Sequence, residues 1–194
     1  MNDHPGDSSG GACADSPDSL APEEPLQPLD VSIQVESELW AKTDPELVSA
    51  LPERVAQIAQ LVERLVGPRA VGGSASVVLA DDELVAELNA VHRGKSGPTN
   101  VLSFPSGVTD LDTGRVYRGD VILACETTVR EAESLGRPLS HHVHHLVVHG
   151  LMHLFGFDHG DDAAASIMEG HEIAILADLG IANPYQEESD APAR

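Results

Sequence analysis

The chain has 194 residues, enough for one domain with a sizeable core. Apolar residues make up 41% and aromatics only 3%, so that core is built from Leu, Val, Ile and Ala. A formal charge of −21, from 11 basic and 32 acidic residues, argues against nucleic-acid binding through bulk charge, and no apolar run approaches the ~18 residues of a membrane helix.

The charge is unevenly spread. Residues 1–30 hold seven acids and no Lys or Arg, whereas Arg93 to Arg118 counts four basic against two acidic residues. Cys13 and Cys125 form no metal or disulfide pattern, which suits a reducing cytoplasm. No basic stretch followed by an apolar one opens the chain, so no secretory signal is expected.

Residues 1–28 are rich in Pro, Gly, Ser, Asp and Glu, and are expected to be a disordered acidic tail, because they bury too little apolar surface to offset the entropy of ordering. A single domain over residues 29–182 follows, then a polar tail over 183–194. Val31–Val35 alternates apolar and polar, the pattern of a strand. Thr43 or Asp44 caps a helix that opens at Pro45 and carries Leu47, Leu51, Val55, Ile58, Leu61, Val62 and Leu65 at helical spacing. Pro52 within that run is expected to split it. Ser76–Ala80 reads as a short strand. Asp81 or Asp82 then caps a helix turning Leu84, Val85, Leu88 and Val91 inward.

A segment with chemical content comes next: Asn89, Arg93, Gly94, Lys95, Pro98, Thr99 and Asn100, then Val101-Leu102-Ser103-Phe104-Pro105. It reads as a helix end, a loop and a strand at about 100–104. Residues 106–115 are rich in turn formers, and Val121–Ala124 is a buried strand. Asp120 before it is a candidate to orient a metal-ligating histidine or the metal's water or, equally, to cap a turn. Glu126–Leu135 is a helix closed by Gly136, and Pro138 and Ser140 open another whose start is crowded by His141, His142, His144 and His145.

That helix carries the strongest signal in the chain. His149 and His153 are four apart, so both imidazoles leave one face of one helix. Gly156 suits a left-handed turn that ends the helix, and His159 follows. Three histidines with an open position describe a catalytic zinc site, one Zn2+ per chain, rather than a closed structural one. The spacing is that of the metzincin HExxHxxGxxH motif, but Gly150 stands where zinc proteases carry their glutamate base, which weakens a peptidase reading. His145, one turn before His149, lies on the same face and is a candidate to support it; His141, His142 and His144 are expected at the surface. Asp161 and Asp162 cap a last helix whose inward stripe is Ile167, Met168, Ile173, Ile175, Leu176 and Leu179, closed by Gly180.

The stretch His149, Gly150, His153, Leu154, Gly156, Phe157, Asp158, His159 resembles the hallmark of the YbeY family of metal-dependent endoribonucleases, H-G-x-x-H-L-x-G-[YF]-D-H. The Asn89–Pro105 segment is similar to that family's L-N-x-x-x-R-x-x-x-x-x-T-[ND]-V-L-S-F-P, and Gly119-Asp120 to its G-D-[IV]; the likeness spans about residues 31–180. It implies an α/β (α+β) domain, one small mixed β-sheet with helices packed on it, with the metal on a helix and the following turn. It also implies cleavage of single-stranded RNA in 16S rRNA 3′-end maturation and ribosome quality control, with rRNA and the small ribosomal subunit as partners. Arg93 takes a role in activity from the resemblance: a guanidinium grips two phosphate oxygens and offsets charge developing at phosphorus. Lys95 is a further candidate for phosphate, and Asp158 for support of the metal. For so acidic a chain to bind RNA, Arg93, Lys95, Arg115 and Arg118 should face the metal's side. Two other readings stay open: a non-catalytic ribosome-assembly factor whose metal supports the fold, and a hydrolase of peptides or small molecules with Asp120 or Asp158 as base.

Overall fold

A computed structural model describes residues 28–67 and 72–186. The acidic segment of residues 1–27 and the last part of the polar tail, residues 187–194, lie outside the described residues. Four strands and six helices follow one another: β1 (Asp30–Val35), α1 (Leu39–Thr43), α2 (Pro45–Val66), β2 (Ser74–Ala80), α3 (Asp82–Arg93), β3 (Val101–Thr109), β4 (Val116–Ala124), α4 (Cys125–Ser134), α5 (Leu139–Leu154) and α6 (Asp162–Asp178). The sheet is mixed, in the order β1-β2-β4-β3: β1 and β2 are parallel, β2 and β4 are parallel, and β3 and β4 form an antiparallel hairpin.

The two faces of the sheet are covered unequally. Ala75, Val77 and Leu79 of β2 and Val121 and Leu123 of β4 meet α2 and α5 in the main core, while Ala80, Leu102 and Ala124 meet Val85 of α3 in a smaller cluster. The alternation of side chains along each strand makes this division. Helix α5 lies between the sheet, α2, α4 and α6, so most of its circumference is covered.

Local chemistry accounts for the helix starts. Asp44 accepts from Leu47 N (2.8 Å), Asp81 from Leu84 N (3.0 Å) and Asp161 from Ala164 N (2.9 Å), each satisfying a free N–H of the first turn. Several sequence expectations are corrected. Pro52 does not split α2, which runs unbroken from Pro45 to Val66. Pro52 is exposed, so the backbone hydrogen bond its missing N–H removes is lost on the solvent side, while Leu47, Leu51, Val55, Ile58 and Val62 hold both halves against the core. The short α1 had no signal in the periodicity; it is set by Trp40, buried with its Nε1–H donating to Ala80 O at 2.7 Å. Strand β3 runs on to Thr109, and β4 begins at Val116, because the hairpin is held by backbone pairing where the outer residues of β3 are exposed and carry no apolar alternation. Val91 and Ile167 point outward, at 77% and 56% exposure. On the last turn of α3 it is His92 that meets Phe104 edge-on, ring centres 4.9 Å apart. His142 and His144 are buried, not at the surface, because α5 is wrapped on nearly all sides.

Candidate metal centre

The end of α5 brings the histidines together. Leu154 is its last residue, and Gly156, at φ +84°, turns the chain: Gly156 N donates to His153 O (3.0 Å) and Phe157 N to Met152 O (3.1 Å). This closing turn carries the chain back so that His159 stands beside His149 and His153. Their rings lie 5.6 Å and 5.1 Å from that of His159, and a ligand nitrogen from each of the three falls within 4.8 Å of the others.

The protonation pattern follows from the partners. His149 Nδ1 lies 2.9 Å from Oε1 of Glu172, a carboxylate that accepts, so Nδ1 carries a proton, and in the neutral imidazole a metal requires Nε2 keeps its lone pair. His153 Nδ1 donates to the carbonyl of Phe157 at 2.9 Å, with the same consequence. The two bare Nε2 atoms then face each other at 3.1 Å. Two nitrogen lone pairs so close repel unless a proton or a metal cation lies between them. Tetrahedral zinc with Zn–N near 2.0–2.1 Å places its ligand nitrogens roughly 3.3 Å apart. The donor set therefore fits zinc or another nitrogen-preferring divalent ion. Burial, with the neighbouring His149 and His159, pushes the His153 imidazole down from its ordinary range, which keeps it neutral as a ligand must be.

Glu172 is the residue that sequence reasoning missed. It is fully buried on α6, and its second oxygen meets His145 Nε2 at 2.9 Å and accepts from the Tyr185 hydroxyl. Burial alone raises this carboxyl, but hydrogen bonds from His145, His149 and Tyr185 outweigh it and bring it down to about 2. Burial and the adjacent carboxylate push Tyr185 up, so its hydroxyl stays a donor. A sign was present in the sequence: Glu172 falls four residues from both Met168 and Leu176, inside the apolar stripe, where an acid needs dedicated partners. Tyr185, within the segment read as a polar tail from residue 183, gave no sign.

The histidines open into a cleft of about 590 Å³ lined by Arg93, Thr99, Asn100, Val101, Ser103, Pro105, His149, His153, Gly156, Phe157, Asp158 and His159. Strand β3, at the sheet edge, forms one wall, and Arg93 reaches the cleft from the end of α3. Asn100 is held by Glu131 (2.8 Å), which also meets His142 Nε2 at 2.9 Å. Asp158 lines the cleft and accepts from His159 N at 2.8 Å, fixing the turn that carries the third histidine.

The other candidates fall elsewhere. Asp120 does not orient a histidine: its neighbour Val121 points to α5, so Asp120 stands on the opposite face of the sheet, where it accepts from the Tyr117 hydroxyl. Lys95 is exposed in the loop after α3 and is not among the residues lining the cleft. Arg115 donates to Gly73 O (2.9 Å), and Arg118 donates to Gly72 O (3.2 Å) with its guanidinium 5.3 Å from the Phe155 ring centre; neither lines the cleft. Of the four basic residues expected on the metal's side, the cleft takes Arg93.

Gly150 has a steric reason. A Cβ there would lie 2.9 Å from Val121 Cγ2 and 3.2 Å from Ser103 Oγ, with Val121 Cγ1 closer still. Helix α5 rests directly on β4 at this point, and no carboxylate base fits at the position zinc proteases use for one.

Residues 34–180, well over half of the chain, match the family model described as Endoribonuclease YbeY. Proteins named Endoribonuclease YbeY are similar over most of their length. The one from Methylocella silvestris is 44% identical over 158 residues, covering 81% of this chain and 86% of its own. That from Parvibaculum lavamentivorans is 40% identical over 166 residues, covering 81% and 85%. That from Rhizobium etli is 40% identical over 165 residues, covering 81% and 94%.

Proposed function

The chain belongs to the YbeY endoribonuclease family, and from that premise we propose that it is a zinc-dependent endoribonuclease cleaving phosphodiester bonds of single-stranded RNA. The observation that carries the reading is the pair of imidazole Nε2 atoms 3.1 Å apart, with His159 beside them, in a cleft whose rim holds one guanidinium. His149, His153 and His159 would hold one ion. When bound, zinc supplies Lewis acidity, acidifying water and drawing charge from a phosphoryl oxygen.

The remaining work falls to the protein's side chains. Arg93 donates its planar fork of N–H groups to non-bridging phosphate oxygens and offsets the added negative charge of the transition state. Asn100, locked by Glu131, Thr99 in the loop before β3 and Ser103 on the β3 wall offer hydrogen bonds to sugar and phosphate. Lys95, exposed in the loop after α3, suits a phosphate outside the cleft. With few basic groups at the cleft of an acidic chain, general attraction for RNA is weak, which favours a substrate delivered in place over free capture. We place that substrate in ribosomal RNA, at the 3′ end of 16S rRNA in the small subunit, with a part in ribosome quality control in the cytoplasm; family membership supports this. No helix among the described residues is long and apolar enough to cross a membrane.

The test compares zinc-loaded protein, metal-stripped protein, Arg93→Ala and His149→Ala on a single-stranded RNA. Cleavage by the loaded protein alone is the expected result. Equal cleavage by all four samples, or undiminished cleavage after stripping, would refute the reading.

A further inference from the structure

The carboxylate of Glu172 sits at a junction that the three histidines do not explain. It is fully buried, and donors reach it from two other elements: His149 and His145 from α5, and Tyr185 from the segment after α6. A buried carboxylate is costly unless hydrogen bonds satisfy its oxygens, and here three groups able to donate converge on the two. The imidazole of His149 has two tautomers of similar intrinsic energy. Only one of them, with the proton on Nδ1, leaves a lone pair on the Nε2 that faces His153 Nε2.

We propose that Glu172, clamped by His145 and Tyr185, is the positioning residue of the metal centre: it holds the proton of His149 on Nδ1 and aims Nε2 at the cation. The inference deepens the metal reading above and rests on it. Helix α6 thereby acts as more than a cover for α5, since it supplies the group that pre-sets a ligand before any ion arrives. His153 is set differently, by a backbone carbonyl of its own turn, Phe157 O. The centre thus has one ligand positioned locally and one positioned across 23 residues of sequence. The residues after α6 become part of the site as well, because Tyr185 holds the second carboxylate oxygen.

Glu172→Gln is the direct perturbation. An amide offers one acceptor where three donors converge, and its own N–H groups must face at least one of them. Zinc affinity, measured by competition with a chromophoric chelator, is expected to fall 10- to 100-fold, as when a partner of a ligating histidine is removed. Tyr185→Phe, a change at a half-exposed side chain that spares the core, is expected to shift affinity the same way by less. The readout that a purely structural role would not move is the tautomer. In the metal-free wild-type protein, two-bond 1H–15N spectra should show His149 protonated on Nδ1 and bare on Nε2. In Glu172→Gln the two forms should mix.

Wild-type His149 protonated on Nε2 would overturn the proposal, and this measurement stands even if Glu172→Gln does not fold. So would wild-type zinc affinity in both variants, with the metal reading left intact. If the wild-type protein takes up no zinc at all, the metal reading fails and this inference with it.

Discussion

Replacing Gly150 with alanine tests the packing that seats the metal helix. Helix propensity alone favours the change: alanine in a helix interior is better than glycine by about 1 kcal/mol. The tertiary structure opposes it. The new methyl would stand 2.9 Å from Val121 Cγ2, with Cγ1 closer, whereas carbon–carbon contacts settle at roughly 3.5–4.0 Å. Val121 is fully buried and β-branched, so it cannot swing aside cheaply, and α5 must rise from β4 by more than about half an ångström. Overpacking of this kind costs about 1–3 kcal/mol, and taking the upper half of that range less the propensity gain leaves a net loss of about 1–2 kcal/mol. Urea unfolding of the metal-free protein measures it without interference from ion binding. Adding Val121→Ala should make room, so that the double variant loses less than the sum of the single losses. Gly150→Glu, the zinc-protease residue, should fail to fold. A Gly150→Ala protein as stable as wild type, or more so, would refute the reasoning, since propensity would then have outweighed the contact.

Other outcomes follow from the same geometry. Burial, with Arg54 and His141 nearby, pushes His144 down to about 4, so the unfolded chain binds more protons than the native one between that value and the ordinary 6.5. Its contribution is whole above 6.5 and is lost as pH falls through the window, roughly 3 kcal/mol at most, and His144→Leu should flatten the pH dependence of unfolding there. Zinc at a thousandfold excess over its dissociation constant should stabilise the fold by about 4 kcal/mol, seen as a melting temperature that climbs with zinc concentration; His153→Ala should abolish that climb. Asp120→Asn should leave zinc affinity within twofold of wild type while costing about 1 kcal/mol of stability, because its partner is Tyr117 on the far face of the sheet; a large loss of zinc binding would contradict the placement.

The sequence by itself determined the parts of this protein whose causes are local. His149, His153, Gly156 and His159 lie within eleven residues, and helix pitch plus one left-handed turn is enough to bring them together. The helix caps Asp44, Asp81 and Asp161, and the apolar stripe of α2, were legible for the same reason: each depends on neighbours a few positions away. The tertiary structure decided what depends on partners distant in the chain. It set Glu172 and Tyr185 against α5, placed Asp120 on the face away from the histidines, and tied Arg115 and Arg118 to the Gly72–Gly73 backbone. It buried His142 and His144 by wrapping α5 on nearly every side. It also gave Gly150 its meaning, since the absence of a side chain there matters only because Val121 stands opposite. Periodicity tells which residues share a face; only the packing of elements tells what that face meets.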